Sequence, residues 1–133
     1  MFKSLKYKKE LKKAFSECFD PLKSVLHNVP IPMQSDRYIT ASILGICRAY
    51  AEDHKTTEEV FALLVDSVFE EIYRQNSMRV QNLTEKWLDE ADEEFMAAYY
   101  HAKEAYNPEL NIKWLADYAQ AHFDPAVEVN HLT

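Results

Sequence analysis

Apolar residues recur along most of the chain at intervals of three and four, the spacing of an α-helix that buries one face. Between residues 3 and 19 the pattern predicts a first helix, in which the buried face comprises Tyr7, Leu11, Ala14, Phe15 and Cys18. From Asp36 to about Asp53, with Ser35 as the predicted N-cap, the stripe comprises Ile39, Ile43, Ile46, Cys47 and Tyr50. Both segments predict amphipathic helices that pack on a common core.

A third helix is predicted from the sequence Thr56-x-x-Glu59, which has the form of a capping box, to about Gln75. Its apolar residues cover more than half of the circumference, which predicts the central and most buried helix of the fold. These residues are Val60, Phe61, Leu64, Val65, Val68, Phe69 and Ile72.

The second half of the chain predicts two further helices. Asn82-x-x-Glu85 resembles another capping box after an interruption at Asn76-Ser77, and it predicts one long helix that ends at Tyr106. Asn107-Pro108 separates this helix from a last one over about 109–122. Its apolar side carries Ile112, Leu115, Ala119, His122 and Phe123.

Glycine and proline fix the remaining features of the predicted fold. The single glycine, Gly45, disfavours hairpin-rich folds, because tight hairpin turns usually require several glycines. Asp20-Pro21 predicts a short helix through about His27, and Val29 to Pro32 predicts an extended link. We therefore expect an all-α, compact bundle of five to six helices in a single domain, with no sheet. Residues 1–123 form this bundle and residues 124–133 a flexible C-terminal tail.

Charge is distributed unevenly along the chain, which carries a net charge of −7. Residues 1–23 carry +4, so the rest carries −11, and such asymmetry suggests an interaction at one end. The basic amphipathic helix 1–19 could bind an anionic membrane surface or a partner protein. It could also pack on its own acidic bundle with its lysines in solvent. The lysines concerned are Lys6, Lys9, Lys12 and Lys13.

An acidic cluster lies between Asp89 and Glu94 in the predicted long helix. On a helical wheel most of its members face away from the apolar stripe, which predicts a solvated face or a docking patch for a basic partner protein. The candidate partner-binding residues are Glu90, Glu93, Glu94, His101 and Glu104. Their spacing does not bring enough ligands together for a metal ion.

Small residues follow one another every four positions at Ala41, Gly45 and Ala49. A row of this kind permits the close approach of another helix, a second subunit or a ligand. Glycine inside a helix costs about 1 kcal/mol relative to alanine, so we expect this position to need the room.

No sequence motif predicts a catalytic, cofactor-binding or metal-binding site. Glycine-rich phosphate loops and the nucleophile elbow need more than one glycine, and the acidic body disfavours nucleic acid. Without an apolar leader or span, a cytoplasmic location is expected. We interpret the chain as a small acidic, non-enzymatic protein-binding module of the adaptor, assembly-chaperone or immunity-protein type. The alternatives are a peripheral membrane-surface protein that uses helix 1–19, and a ligand-binding bundle or enzyme with a pocket near Gly45. A homo-oligomer is also possible.

Overall fold

The computed structural model describes residues 2–124, and this part of the chain folds as an all-helical bundle without a strand. The predicted fold class is therefore confirmed. The six α-helices are α1 (Phe2–Phe19), α2 (Arg37–Asp53), α3 (Glu58–Tyr73), α4 (Ser77–Asp89), α5 (Glu93–Ala105) and α6 (Lys113–Phe123). Short 3₁₀ turns occupy Asp20–Leu22, Ile31–Ser35 and Arg74–Asn76. The predicted C-terminal tail lies outside the described residues, except for Asp124.

Helix α2 is the centre of the bundle. It packs along its length on α5 and also contacts α3, α4 and α6, so it is buried over nearly its whole circumference. The prediction that α3 is the central helix was wrong. Its apolar surface is wide, but Val60, Phe61 and Val65 are only half-buried and Leu63 is half-exposed. The wide apolar stripe of α3 therefore did not indicate the most buried helix, since α3 lies at the edge of the core.

Helix α1 is an integral part of the core. Leu11, Phe15 and Phe19 have no exposed surface, and the helix packs against α3 and α6. Burial of large apolar side chains is the main stabilising term in a domain of this size, so α1 contributes directly to folding.

The helix starts depart slightly from the predicted N-caps. Asp36, rather than Ser35, accepts a hydrogen bond from the Ile39 backbone N–H at 2.9 Å. Thr57, rather than Thr56, accepts from the Val60 N–H at 3.2 Å. In each case the neighbouring residue of the sequence provides the same chemistry, because a short polar side chain satisfies a free amide of the first turn.

The prediction of one long helix from Asn82 to Tyr106 was wrong. Helix α4 already starts at Ser77, ends at Asp89 and is followed by a turn in which Ala91 has φ of 49°. The Asp92 N–H donates to the Trp87 carbonyl and the Ala91 N–H to the Leu88 carbonyl, the two hydrogen bonds of a Schellman motif. The Asp92 side chain then caps α5 by accepting from the Phe95 N–H.

Two shorter predictions also need correction. The helix predicted from Asp20 to His27 ends at Leu22, and the last helix begins at Lys113 instead of about 109. In the second case the side chain of Asn107 accepts a hydrogen bond from the Asn111 N–H and donates to the Asn111 carbonyl. This closes a loop where the sequence predicted a helical turn.

Candidate interaction surface

The predicted acidic face is solvent-exposed but divided by the turn between α4 and α5. Glu90 lies in that turn, Glu93 and Glu94 in the first turn of α5, and Glu104 near its end. None of these carboxylates forms an ion pair with any other residue in the range 2–124. The ring of His101, on the same helix, packs edge-on against the ring of Trp114, with 5.5 Å between the ring centroids. The acids can act by charge, but they do not form a pocket.

Asp92, in the middle of this acidic stretch, has a different role. Its carboxylate pairs with the Arg37 guanidinium at 3.0 Å, and Arg37 in turn lies over the Trp87 ring at 4.7 Å. Asp92 therefore links the start of α5 to the start of α2. Its neighbours Glu90, Glu93 and Glu94 form no such ion pair within residues 2–124.

The predicted basic surface of α1 is also on the outside of the bundle. Lys6, Lys9 and Lys13 are exposed and Lys12 is half-buried. The apolar face of the same helix is occupied by the core, so α1 cannot offer that face to a membrane while the bundle stays intact. In the part of the chain that the structure describes, no helix is both long and apolar enough to cross a bilayer.

Gly45 lies at a close contact between α2 and α5. A Cβ atom at this position would lie 2.5 Å from the Tyr99 carbonyl oxygen and 2.9 Å from the Ala102 Cβ. Ala41 and Ala49, on the same row, are buried. The space that a ligand pocket beside Gly45 would need is thus filled by α5.

Both cysteines are buried thiols. Burial raises the pKa of Cys47 to about 12, and burial together with the nearby Asp117 carboxylate does the same for Cys18. The raised pKa disfavours the thiolate of both residues, and the thiolate is the reactive form of a cysteine. Within residues 2–124 no group of three His, Cys, Asp or Glu side chains could hold a metal ion.

A network of tyrosines and carboxylates connects α1, α2 and the end of α5. The Tyr50 hydroxyl donates to Glu10 at 2.5 Å, and the Tyr106 hydroxyl donates to Asp53 at 2.8 Å. Burial, followed by these carboxylates, raises the pKa of both tyrosines. His54 stacks on Tyr50 and places Nδ1 2.9 Å from the Tyr50 carbonyl oxygen. These tyrosines stay protonated and act as hydrogen-bond donors between helices.

The most exposed large apolar side chains belong to the connection between α1 and α2. Val25 is 95% exposed and Leu26 is 76% exposed. They lie on a hydrogen-bonded turn, in which the Ser24 N–H donates to the Asn28 carbonyl and the His27 N–H to the Ser24 carbonyl. The Ser24 hydroxyl also accepts from the Leu26 N–H. We call residues 24–28 the apolar turn.

A groove of about 370 Å³ lies along the same connection, between the 3₁₀ turn Ile31–Ser35 and helix α4. Ile31 is 73% exposed on its rim. No carboxylate lines this groove, whereas two cationic side chains, Arg79 and Lys86, do. We call it the basic groove; its lining residues are Ile31, Gln34, Ser35, Arg79, Val80, Asn82, Leu83 and Lys86.

Two other grooves differ from it in charge. A larger one of about 560 Å³, between α1 and the loop before α6, mixes the carboxylates of Glu10, Glu17 and Glu109 with two lysines. A smaller one of about 230 Å³, between α3 and α4, is mostly apolar and includes Glu85. The basic groove is thus the one of the three that would attract an anionic ligand.

Sequence reasoning missed both the apolar turn and the basic groove. Each includes residues of the segment 20–35, in which three prolines prevent a regular helix. Apolar residues in such a segment have no helical face to join, so Val25, Leu26 and Ile31 were a usable signal for an exposed apolar surface. The position of Arg79 beside this segment could not be found, because it depends on how α4 packs.

Comparison of the chain with models of known protein families, with curated proteins and with solved structures found no match.

Proposed function

We propose that this protein is a binding module that recognises another protein through the connection between α1 and α2. The observation that carries the proposal is the exposure of Val25 and Leu26 on the apolar turn. Exposed apolar residues that cluster, instead of being scattered, are typical of interaction sites. A partner with a complementary apolar pocket would remove both side chains from water, which favours association.

The local structure of the turn supports this function. The backbone hydrogen bonds of Ser24 close the turn that carries the two apolar side chains, and His27 has the positive φ, 65°, that the turn requires. A segment that is ordered before binding loses less conformational entropy when the complex forms. The turn is therefore suited to act as a preformed apolar anchor, with Ile31 following three residues after Asn28.

The charged surfaces have a supporting role in this proposal. The carboxylates of Glu90, Glu93, Glu94 and Glu104 are exposed and place negative charge on the turn before α5 and on α5 itself. Exposed charges of this kind change the rate of association and its dependence on salt more than the final affinity. They favour partners that carry a basic surface.

The test compares proteins that are captured from a native lysate by the parent chain and by the double variant Val25→Ser/Leu26→Ser. We expect a specific partner to be retained by the parent and lost with this variant. The matched control is Leu5→Ser/Leu63→Ser, which also removes two exposed apolar side chains, 59% and 50% exposed, but at other places. Circular dichroism and urea unfolding check that all three proteins are folded.

Retention of the same proteins by the parent and by the turn variant would contradict the proposal. A membrane role is distinguished with vesicles of anionic phospholipid, since an exposed apolar turn can also insert into a bilayer. Vesicle binding that depends on Val25 and Leu26, with no protein captured, would replace the partner protein by a membrane surface.

A further inference from the structure

The geometry points to the basic groove as the binding site for an acidic, extended segment of the partner protein, one that carries an apolar side chain between two carboxylates. This inference rests on the proposed function and adds the chemistry of the partner to it. The groove and the apolar turn are parts of one connection, so a single partner can contact both. Ile31 is at most about 11 Å from Asn28 along the chain, given the reach of an extended backbone.

Arg79 is held in position for a carboxylate. Its guanidinium donates to the side-chain oxygen of Gln34, and the Gln34 amide donates to the Val29 carbonyl at 3.4 Å. Gln34 is only 4% exposed, so it is a fixed partner and restricts the motion of the arginine. An arginine side chain has five N–H donors, and those that Gln34 does not use remain for a ligand.

Lys86 supplies a second positive charge on the same side of α4. Neither Arg79 nor Lys86 forms an ion pair within the described part of the chain. In a protein of net charge −7, these two cationic side chains line a groove that has no carboxylate among its lining residues. Their charge is complementary to an acidic ligand, and close opposite charges strengthen such hydrogen bonds.

The apolar part of the groove fits a single side chain between the two cations. Val80 is buried, Leu83 is half-buried, and Ile31 faces solvent on the opposite rim. An aliphatic side chain placed here would cover all three. The exposed amide of Asn82 lies between the cations in sequence and can bond to a peptide backbone.

Spacing determines the pattern of the ligand. Arg79 and Lys86 are separated by about 10 Å along the helix axis, at 1.5 Å per residue. In an extended chain every second side chain points to the same face, at about 3.3 Å per residue. Carboxylates four residues apart are therefore about 13 Å apart, within reach of the two long cations. The residue midway between them points into the groove.

The test uses a fluorescein-labelled peptide with the central order glutamate, serine, leucine, serine, glutamate, flanked by glycine and serine. We expect saturable binding by fluorescence anisotropy, weakened at least tenfold when leucine is replaced by serine or both glutamates by lysine. Binding should also fall at least tenfold in the variant Arg79→Glu/Lys86→Glu. The control Lys6→Glu/Lys9→Glu has the same net charge, does not alter the groove and should bind like the parent.

No binding of the peptide at millimolar concentration would overturn the inference, as would equal loss in both charge variants. Self-association of the parent, seen by sedimentation and abolished by Arg79→Glu/Lys86→Glu, would assign the groove to a second copy of the chain and overturn it as well. The variant Val25→Ser/Leu26→Ser separates the two proposals. If it loses the cellular partner while peptide binding is absent in the parent, the groove inference fails and the proposed function stands.

Discussion

At Gly45 the backbone of α2 meets the backbone of α5 with no side chain between them. The row of small residues at Ala41, Gly45 and Ala49 indicated from the sequence that something approaches this face closely. It could not indicate what, because a helix, a ligand and a second subunit require the same small residues. The structure has the Tyr99 carbonyl at this position, and a carbonyl of a regular helix cannot move independently of its neighbours.

The substitution Gly45→Ala should therefore destabilise the protein by about 1–2 kcal/mol. Overpacking costs up to about 3 kcal/mol, and the higher helix propensity of alanine returns about 1 kcal/mol. Urea unfolding followed by circular dichroism measures the change. A variant as stable as the parent would contradict the close packing, since alanine at an uncrowded helical position is favourable.

Single residues were predicted well where their role follows from periodicity. All five members of the predicted α2 stripe, from Ile39 to Tyr50, are buried. Caps were displaced by one position at Asp36 and Thr57, because the sequence offers two adjacent short polar residues at each start and only the backbone selects between them.

At the scale of helices, the ends were harder to predict than the helices themselves. Two Schellman motifs have a non-glycine residue in the left-handed position, Lys55 after α2 and Ala91 after α4, with φ of 54° and 49°. Glycine is the usual residue there, since a side chain disfavours positive φ. Because residue 91 is neither glycine nor proline, the helical periodicity of the sequence continues from α4 into α5 and predicted a single helix. The usable signal was Asp92 followed by two glutamates, an N-cap with an acidic first turn.

Replacement of either residue by glycine should stabilise the protein. Ala91→Gly and Lys55→Gly are each expected to raise the free energy of unfolding by about 1 kcal/mol, since both side chains are exposed and only the backbone strain is removed. The control is Ala97→Gly, at an exposed position inside α5, which should cost about 1 kcal/mol. Destabilisation by all three variants would contradict the left-handed conformation at the two helix ends.

Helix α1 was predicted from the sequence to within one residue of its bounds, but its environment was left open between a membrane, a partner and its own bundle. The burial of Phe15 decides that its apolar face belongs to the core. Phe15→Ala should lower the free energy of unfolding by about 3–5 kcal/mol, the usual cost of removing a buried phenylalanine. Lys9→Ala, on the exposed face of the same helix, should change it by less than about 0.5 kcal/mol. Equal, small effects would indicate that α1 is not docked.

On the scale of the whole molecule, the sequence predicted the fold class, because low glycine content and helical periodicity are properties of the entire chain. The sequence did not predict the candidate interaction surface. The basic groove combines residues 31–35 with residues 79–86, and only the packing of α4 beside the connection brings them together. Surfaces that one helix provides alone, such as the acids of α5, could be named in advance.

The pH dependence of stability is also a property of the whole bundle. The unfolded thiols of Cys18 and Cys47 titrate near pH 8.5, whereas burial raises the folded pKa of each to about 12. Since the folded pKa is the higher one, their contribution to stability is complete below pH 8.5 and is lost as pH rises towards 12. At pH 10 the loss is about 2 kcal/mol for each thiol.

Urea unfolding at pH 7.5 and pH 10 should show this loss in the parent, about 4 kcal/mol for the two thiols together. The double variant Cys18→Ala/Cys47→Ala should be less stable at pH 7.5, because buried sulfur is removed, but should lose less stability than the parent over the same interval. Five tyrosines also have raised folded pKa values: Tyr38, Tyr50, Tyr73, Tyr106 and Tyr118. Because an unfolded tyrosine titrates near pH 10, they too begin to reduce stability there, and this part of the loss is common to both proteins. An equal loss in the parent and in the double variant would show that other groups cause the alkaline sensitivity.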